Sequence, residues 1–261
     1  FQHQFWQAVK SGADQAAEEF GVRITFEGPD NETMVKLKAA INSVYKMSDK
    51  GEISFFLNMH VVRNREERTI TLHQMQKVDK LLEELDMKEC NPASVPADPN
   101  IALSKDYCPP EGEPIDVPYR SVLGKLLYLS LTTRPDISTA VSNCGRFCSN
   151  PGIIHWNALL QIVRYLKGTR NYALTLGGGK PELSAYSDAN WIGESTEGRS
   201  RTGGTVFFGN GPIVWTSKLQ VSVSLSTCES ELVSLCSTCQ DVMECRRIVI
   251  FVIQPILEYS G

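Results

Sequence analysis

Leu183-Ser184-Ala185-Tyr186-Ser187-Asp188-Ala189-Asn190-Trp191-Ile192-Gly193, with Ser224-Leu225-Ser226-Thr227-Cys228-Glu229-Ser230-Glu231-Leu232 downstream, is the stretch on which the fold turns. The first part reads as a strand that ends on the carboxylate of Asp188. The second opens a helix that carries Glu231 in its first turns. Two more short strands fit between them, so strands are expected near 183–188, 202–208 and 213–218 and a helix over about 227–250. Two carboxylates from separate elements, brought to one end of a sheet, are what two-metal phosphodiester hydrolysis requires. Spacing alone leaves a structural alternative open: Asp at a strand end and Glu in a first helical turn both have ordinary local reasons.

Working outward, the chain has 261 residues and 42% hydrophobic content, enough for one large or two ordinary domains. Its longest apolar run, Ile248-Val249-Ile250-Phe251-Val252-Ile253, is far shorter than the roughly 18 residues a membrane helix needs, so no membrane partner is expected. The chain starts at Phe1 without a signal segment, and reads as a fragment or a product whose start lies elsewhere. The eight cysteines include Cys236-x-x-Cys239, which has zinc-ligand spacing. That pair sits in a helical pattern without a second pair or a nearby His, so free thiols are the expectation.

The net charge of −4 is unevenly spread. Residues 117–180 carry eight basic groups against Asp136 alone, between two acidic flanks. Such a segment is the footprint of phosphate-backbone contact, or else a solvated helical face that happens to be basic.

Apolar spacing predicts a helix over 33–47, strands over 53–62 and 68–72 with a charged turn at 64–67, and a helix over 75–85. Seven prolines in 91–118 mark an extended linker, and helices follow at about 118–131, 135–148 and 155–167. Gly177-Gly178-Gly179 reads as a flexible joint before the last domain. The fold class expected is mixed α and β.

The motifs Tyr119-Arg120-Ser121-Val122-Leu123-Gly124-Lys125-Leu126-Leu127-Tyr128-Leu129, Thr133-Arg134-Pro135-Asp136-Ile137, His155-Trp156 and Arg164-Tyr165-Leu166-Lys167-Gly168-Thr169 follow in order. Then come Tyr186-Ser187-Asp188-Ala189-Asn190-Trp191, Arg199-Ser200-Arg201-Thr202-Gly203-Gly204 and Trp215-Thr216-Ser217-Lys218-Leu219-Gln220. Over about residues 34–250 this series closely resembles the Pol polyprotein of copia-type LTR retrotransposons, from the end of reverse transcriptase through the connection into RNase H. Residues 1–33, with Phe5-Trp6, resemble the opening of a bacterial periplasmic sugar-binding protein. They lack the two α/β lobes a sugar site needs, and are expected to be a fusion separable from the rest.

The resemblance implies a domain plan. Residues 34–90 are a palm-edge fragment of reverse transcriptase, 91–117 a Pro-rich linker and 118–176 a helical connection. Residues 181–261 are a truncated RNase H-like domain, a three-stranded sheet with one long helix. It implies Asp188 and Glu231 as catalytic metal ligands, and Arg120, Lys125, Arg134, Arg164, Lys167 and Arg170 as nucleic-acid contacts. The family completes its nuclease site with two further acidic residues that find no counterpart before Gly261, so magnesium binding is expected to be weak or absent. The polymerase Tyr-Val-Asp-Asp motif has no match either; Ile24-Thr25-Phe26-Glu27-Gly28-Pro29-Asp30 stands there instead.

The implied partners are an RNA–DNA hybrid or template-primer and the rest of the polyprotein, in an intracellular setting. Two functions follow. One is a fragment of an ancestral RNA-directed DNA polymerase and RNase H, inactive as this chain. The other is a non-catalytic module that binds nucleic acid or a protein.

Overall fold

The computed structural model describes residues 52–110, 113–191 and 198–252, together with 39, 42 and 43. The expected fusion segment 1–33, the polymerase-motif region and a C-terminal cover at 253–259 lie outside the described residues. Of the helix expected at 33–47, positions 39, 42 and 43 are described and helical. The chain divides into two compact units, 52–244 and 1–51 with 245–261.

The unit opens with a meander. Strand β1 (Phe55–Phe56) turns through Leu57 and Asn58, both at positive φ, into β2 (Met59–Asn64). Two consecutive left-handed residues make the turn whose twist matches that of the strands. The turn from β2 to β3 (Thr69–His73) is held by Asn64, whose Oδ1 accepts from the backbone N–H groups of Glu66 and Glu67, both at 3.1 Å.

The next neighbour of β3 comes from far along the chain. Strand β4 (Leu174–Gly177) pairs antiparallel with it, Thr69 opposite Gly177. The three glycines expected as a joint therefore sit in tight packing. A Cβ on Gly177, at φ +89°, would come within 2.3 Å of the Arg68 carbonyl oxygen, which only glycine permits.

Between β3 and β4 lies the helical core. Helix α1 (Met75–Glu84) buries Val78, Leu81 and Leu82, the spacing of one helical face. Helix α2 (Tyr119–Thr132) contributes Val122, Leu126 and Leu129; α3 (Ser138–Gly145) Ala140 and Val141; and α4 (Ile153–Gly168) Leu159, Ile162, Val163 and Leu166. These side chains form one contiguous apolar cluster.

Part of the Pro-rich stretch is strapped down along α4. Ala93 N–H bonds the Arg164 carbonyl at 3.2 Å, and Gln161 Nε2 donates to the Val95 carbonyl at 3.1 Å. Leu103 enters the core, and His155 Nε2–H donates to the Ser104 carbonyl at 3.0 Å. His155 thus serves as a buried helix-start residue, its Nδ1 accepting from Gly152 N–H at 2.9 Å.

The second sheet, β5 (Leu183–Asn190), β6 (Arg201–Phe208) and β7 (Gly211–Leu219), is an antiparallel meander in sequence order. Helix α5 (Thr227–Val252) follows. Its first turn is capped reciprocally: Glu229 N–H donates to Ser226 Oγ at 3.2 Å, and Glu229 accepts from Leu225 N–H at 2.7 Å. Among the described residues, β5 pairs on its β6 side only, which leaves its other edge open.

The two faces of this sheet are covered differently. A Cβ on Gly204 would lie 2.6 Å from Thr238 Oγ1, so α5 packs on the Gly204 face. The other face meets the helical core: Trp215 Nε1 donates to the Ser130 carbonyl at 2.7 Å, and Thr139 and Ser217 hydroxyls are 2.9 Å apart.

Candidate carboxylate site and nucleic-acid interface

The register decides where the two carboxylates go. Asp188 lies directly opposite Gly203, and residues opposite one another in an antiparallel pair share a face. Successive residues alternate, so Asp188 projects on the Gly203 face, toward α3, while α5 covers the Gly204 face. Glu231, exposed in the second turn of α5, belongs to the other side. The two elements still touch: Ser234 Oγ donates to the Asp188 carbonyl at 2.6 Å and to the Gly203 carbonyl at 3.1 Å. The structure thus brings the two elements together, but not on one face of the sheet.

No group of three or more His, Cys, Asp or Glu side chains converges among the described residues, the Cys236/Cys239 pair included. Magnesium demands near-octahedral support and sheds water reluctantly, and a two-metal centre needs several carboxylates aimed at one point. Among the described residues, Asp188 and Glu231 are joined by no such further side chain. Asp241, further along α5, is half-buried, and burial raises its carboxyl against the attraction of Lys218.

The six cations named from the sequence are all engaged within the chain. Arg134 is 3% exposed and grips Asp136 with two nitrogens, Nε to Oδ1 at 2.9 Å and Nη2 to Oδ2 at 2.7 Å. Its Nη1 reaches the Thr169 carbonyl at 3.1 Å, and Tyr165 closes the group by donating to Asp136 at 2.9 Å. That geometry makes Arg134 a fastener between α2 and the end of α4.

Lys125 pairs with Glu84 and Arg170 with Asp79. Arg120 donates to the Cys148 carbonyl at 3.2 Å, Arg164 to the Asn91 carbonyl at 2.8 Å, and Lys167 to the Cys90 carbonyl at 2.6 Å and to that of Lys88. These last three anchor on neutral carbonyls, so their charge stays uncompensated by those bonds.

A cavity of about 310 Å³ opens beside Asp188, lined by Ser138, Thr139, Tyr186, Gly203, Trp215 and Ser217 among others. Its hydroxyls come from α3 and β7 and its aromatic rings from β5 and β7. Spacing and periodicity carry no signal for it, because it exists only where the second sheet meets the helical core. On the α5 side, Gln220 Nε2 bridges Thr202 Oγ1 at 3.2 Å and the Ser230 carbonyl at 2.9 Å, and its Oε1 accepts from Ser224 Oγ at 2.8 Å. That buried network fixes the start of α5 against β6.

No family model and no solved structure matches the chain. Among curated proteins, it is 38% identical over 226 residues to the Retrovirus-related Pol polyprotein from transposon TNT 1-94 of Nicotiana tabacum, covering 85% of this chain and 17% of that protein. It is 30% identical over 222 residues to the Retrovirus-related Pol polyprotein from transposon RE2 of Arabidopsis thaliana, 84% of this chain and 15% of that protein. A third relative, the Uncharacterized mitochondrial protein AtMg00810 of Arabidopsis thaliana, is 31% identical over 222 residues, 84% of this chain and 89% of its own length. The chain therefore spans less than a fifth of the two polyproteins while matching nearly all of the third. On these matches, each covering more than four fifths of its length, the chain belongs to the copia-type retrotransposon Pol family.

Proposed function

We propose that this chain is a non-catalytic piece of the polyprotein's reverse-transcriptase end, connection and RNase H-like start, which holds nucleic acid without cleaving it. This reading is supported by Asp188 projecting from the Gly203 face while α5, the helix that carries Glu231, covers the Gly204 face, and by no third carboxylate joining them among the described residues. Binding is supported by the charge of residues 117–180, where Arg120, Arg164 and Lys167 are tied to carbonyls and still present positive potential. The acidic flanks make that attraction weak and steeply salt-dependent. The partner is an RNA–DNA hybrid or template-primer, held by its backbone and without sequence preference.

The test is a labelled hybrid duplex incubated with the chain and magnesium. Binding that weakens as salt rises, with no strand cleavage, is the expected result. Magnesium-dependent hydrolysis lost in Asp188→Asn or Glu231→Gln would overturn the proposal and show that both carboxylates reach one metal centre.

A further inference from the structure

The strap is fastened to α4 at two places and stands off it between them. Gln161 Nε2 holds the Val95 carbonyl at 3.1 Å, and His155 Nε2 holds the Ser104 carbonyl at 3.0 Å. From His155 to Gln161 the helix rises only about 9 Å, whereas the chain from Val95 to Ser104 could extend to about 30 Å. The strap therefore arches. Between the arch, α3 and α4 lies a cavity of about 600 Å³. That is the size of a small-ligand site, about 300–1,000 Å³.

Its apolar wall is Leu103 of the strap with Ile154, Ala158 and Ile162, spaced along one face of α4. Three amides join them: Asn143 from α3, and Asn157 and Gln161 from α4. Each keeps hydrogen-bonding capacity. Asn143 uses its Oδ1 on Arg201 and Gln161 its Nε2 on the strap, while the exposed Asn157 side chain bonds nothing among the described residues. Beside the start of α4 stands Tyr107, its ring 6.3 Å from that of His155 and the residue 43% exposed. Further along α4 comes Arg164, whose Nε holds the Asn91 carbonyl. The two Nη nitrogens of its fork take no acceptor among the described residues.

An accessible aromatic ring, amides with unused donors and acceptors, and an open guanidinium fork are the groups that hold an unpaired nucleotide. The base stacks on the ring, the amides meet its edge, and the fork meets its phosphate. Asp98, on the arch, accepts from Asn100, and its charge disfavours phosphate there, which leaves the Arg164 side for it. A paired base has its faces stacked and cannot enter without leaving the duplex.

We infer that the cavity between the strap, α3 and α4 takes an unpaired nucleotide at the end of a nucleic-acid strand, its base by Tyr107 and its phosphate at Arg164. The inference rests on the nucleic-acid reading above and deepens it: the duplex is held by its backbone, and a single-stranded end is held at this second place.

The experiment titrates two labelled RNA–DNA hybrids, one blunt and one with a single-stranded adenosine overhang, against the full chain, Tyr107→Ala, Tyr107→Phe and Asn157→Asp. Adenosine is chosen because Asn and Gln amides match the donor and acceptor on the edge of adenine. The parent should bind the overhang hybrid about tenfold more tightly than the blunt one, the scale of one base stacked on an aromatic ring. Tyr107→Ala should remove that gain and leave blunt binding unchanged, and Tyr107→Phe should keep it. Asn157→Asp places a negative charge in the cavity at an exposed position and should also remove the gain.

In parallel, adenosine monophosphate should raise the melting temperature of the parent more than that of Tyr107→Ala, and more than adenosine does. Arg164→Gln should respond to the two alike. If the parent binds both hybrids equally, the nucleotide site is wrong and the nucleic-acid reading stands. If neither hybrid binds but adenosine monophosphate stabilises the parent and not Tyr107→Ala, the site stands and the duplex reading fails. If neither hybrid nor mononucleotide separates the parent from Tyr107→Ala and Asn157→Asp, the site is overturned.

Discussion

The helical core and the second sheet solve the same problem with opposite materials. Helices α1 to α4 interlock through Leu, Ile and Val, and Leu126, Leu129, Leu159, Ile162 and Leu166 have no exposed surface. The contact of α5 with its sheet is made of Ser230, Ser234 and Thr238 against Thr202 and Gly204, with Val206 the large apolar group buried there. The apolar residues of α5 point elsewhere: Leu232, Leu235 and Met243 are 55%, 48% and 56% exposed.

Hydrophobic burial contributes about 25 cal/mol per Å², whereas a hydroxyl–carbonyl bond contributes about 1 kcal/mol net. The core is therefore the self-supporting part. The sheet with α5 is held by specific polar contacts that fix geometry more than they add stability.

The largest expected effect tests that asymmetry directly. Leu159→Ala should destabilise the chain by about 4 kcal/mol, because a fully buried leucine leaves both lost transfer energy and a cavity. Arg134→Met comes next, at about 2–3 kcal/mol. That is below the figure for a wholly buried pair, because the Asp136 side chain keeps 30% exposure and can recover some hydration. Val206→Ala, in the sheet, should remove about 1.5 kcal/mol for its two lost carbons. Urea unfolding of the three variants checks the order. If Val206→Ala matches Leu159→Ala, the second sheet is as much a core as the first, and the comparison breaks.

A smaller effect separates the regions by pH. Burial holds the His155 imidazole below its usual range, and its Nδ1 already accepts a backbone N–H, so the fold favours the neutral ring. The unfolded chain takes up a proton first as pH falls past about 6.5, so this stability is present above that value and is lost below it, toward the folded-state pKa. His73, lowered by burial and by His60 stacked on it, acts in the same sense. Glu52, Glu83 and Glu84, lowered chiefly by hydrogen bonds from Arg65, Lys88 and Lys125, act only in the more acid range. The urea midpoint should therefore be lower at pH 5.5 than at 7.5. His155→Gln should lower it at both and flatten the difference; an undiminished slope would assign the effect to His73.

Periodicity made much of this fold legible beforehand. The Val78, Leu81, Leu82 spacing placed its helix within a residue of its observed end. Strand β4 escaped notice because four residues, Leu174-Thr175-Leu176-Gly177, are too few to show a pattern, and their partner is remote in sequence. The strap escaped because its fastenings are backbone carbonyls, which no side-chain pattern reports. The same gap hid the bonds that hold Arg164 and Lys167 against the Asn91, Lys88 and Cys90 carbonyls. Asp188 and Glu231 were visible as residues, yet the face each occupies depends on whether Asp188 meets Gly203 or Gly204, a one-residue question of register.

The pairing of Thr69 with Gly177 has a consequence for how the chain is made. On a ribosome adding about 5–20 residues per second, β4 emerges roughly five to twenty seconds after β3. The early hairpin has its β3 edge open throughout, with Ile70 and Leu72 on it and nothing yet synthesised to cover them. Until then the nascent chain depends on keeping that edge from other strands, and a pause in translation between the two segments would lengthen the exposure in proportion.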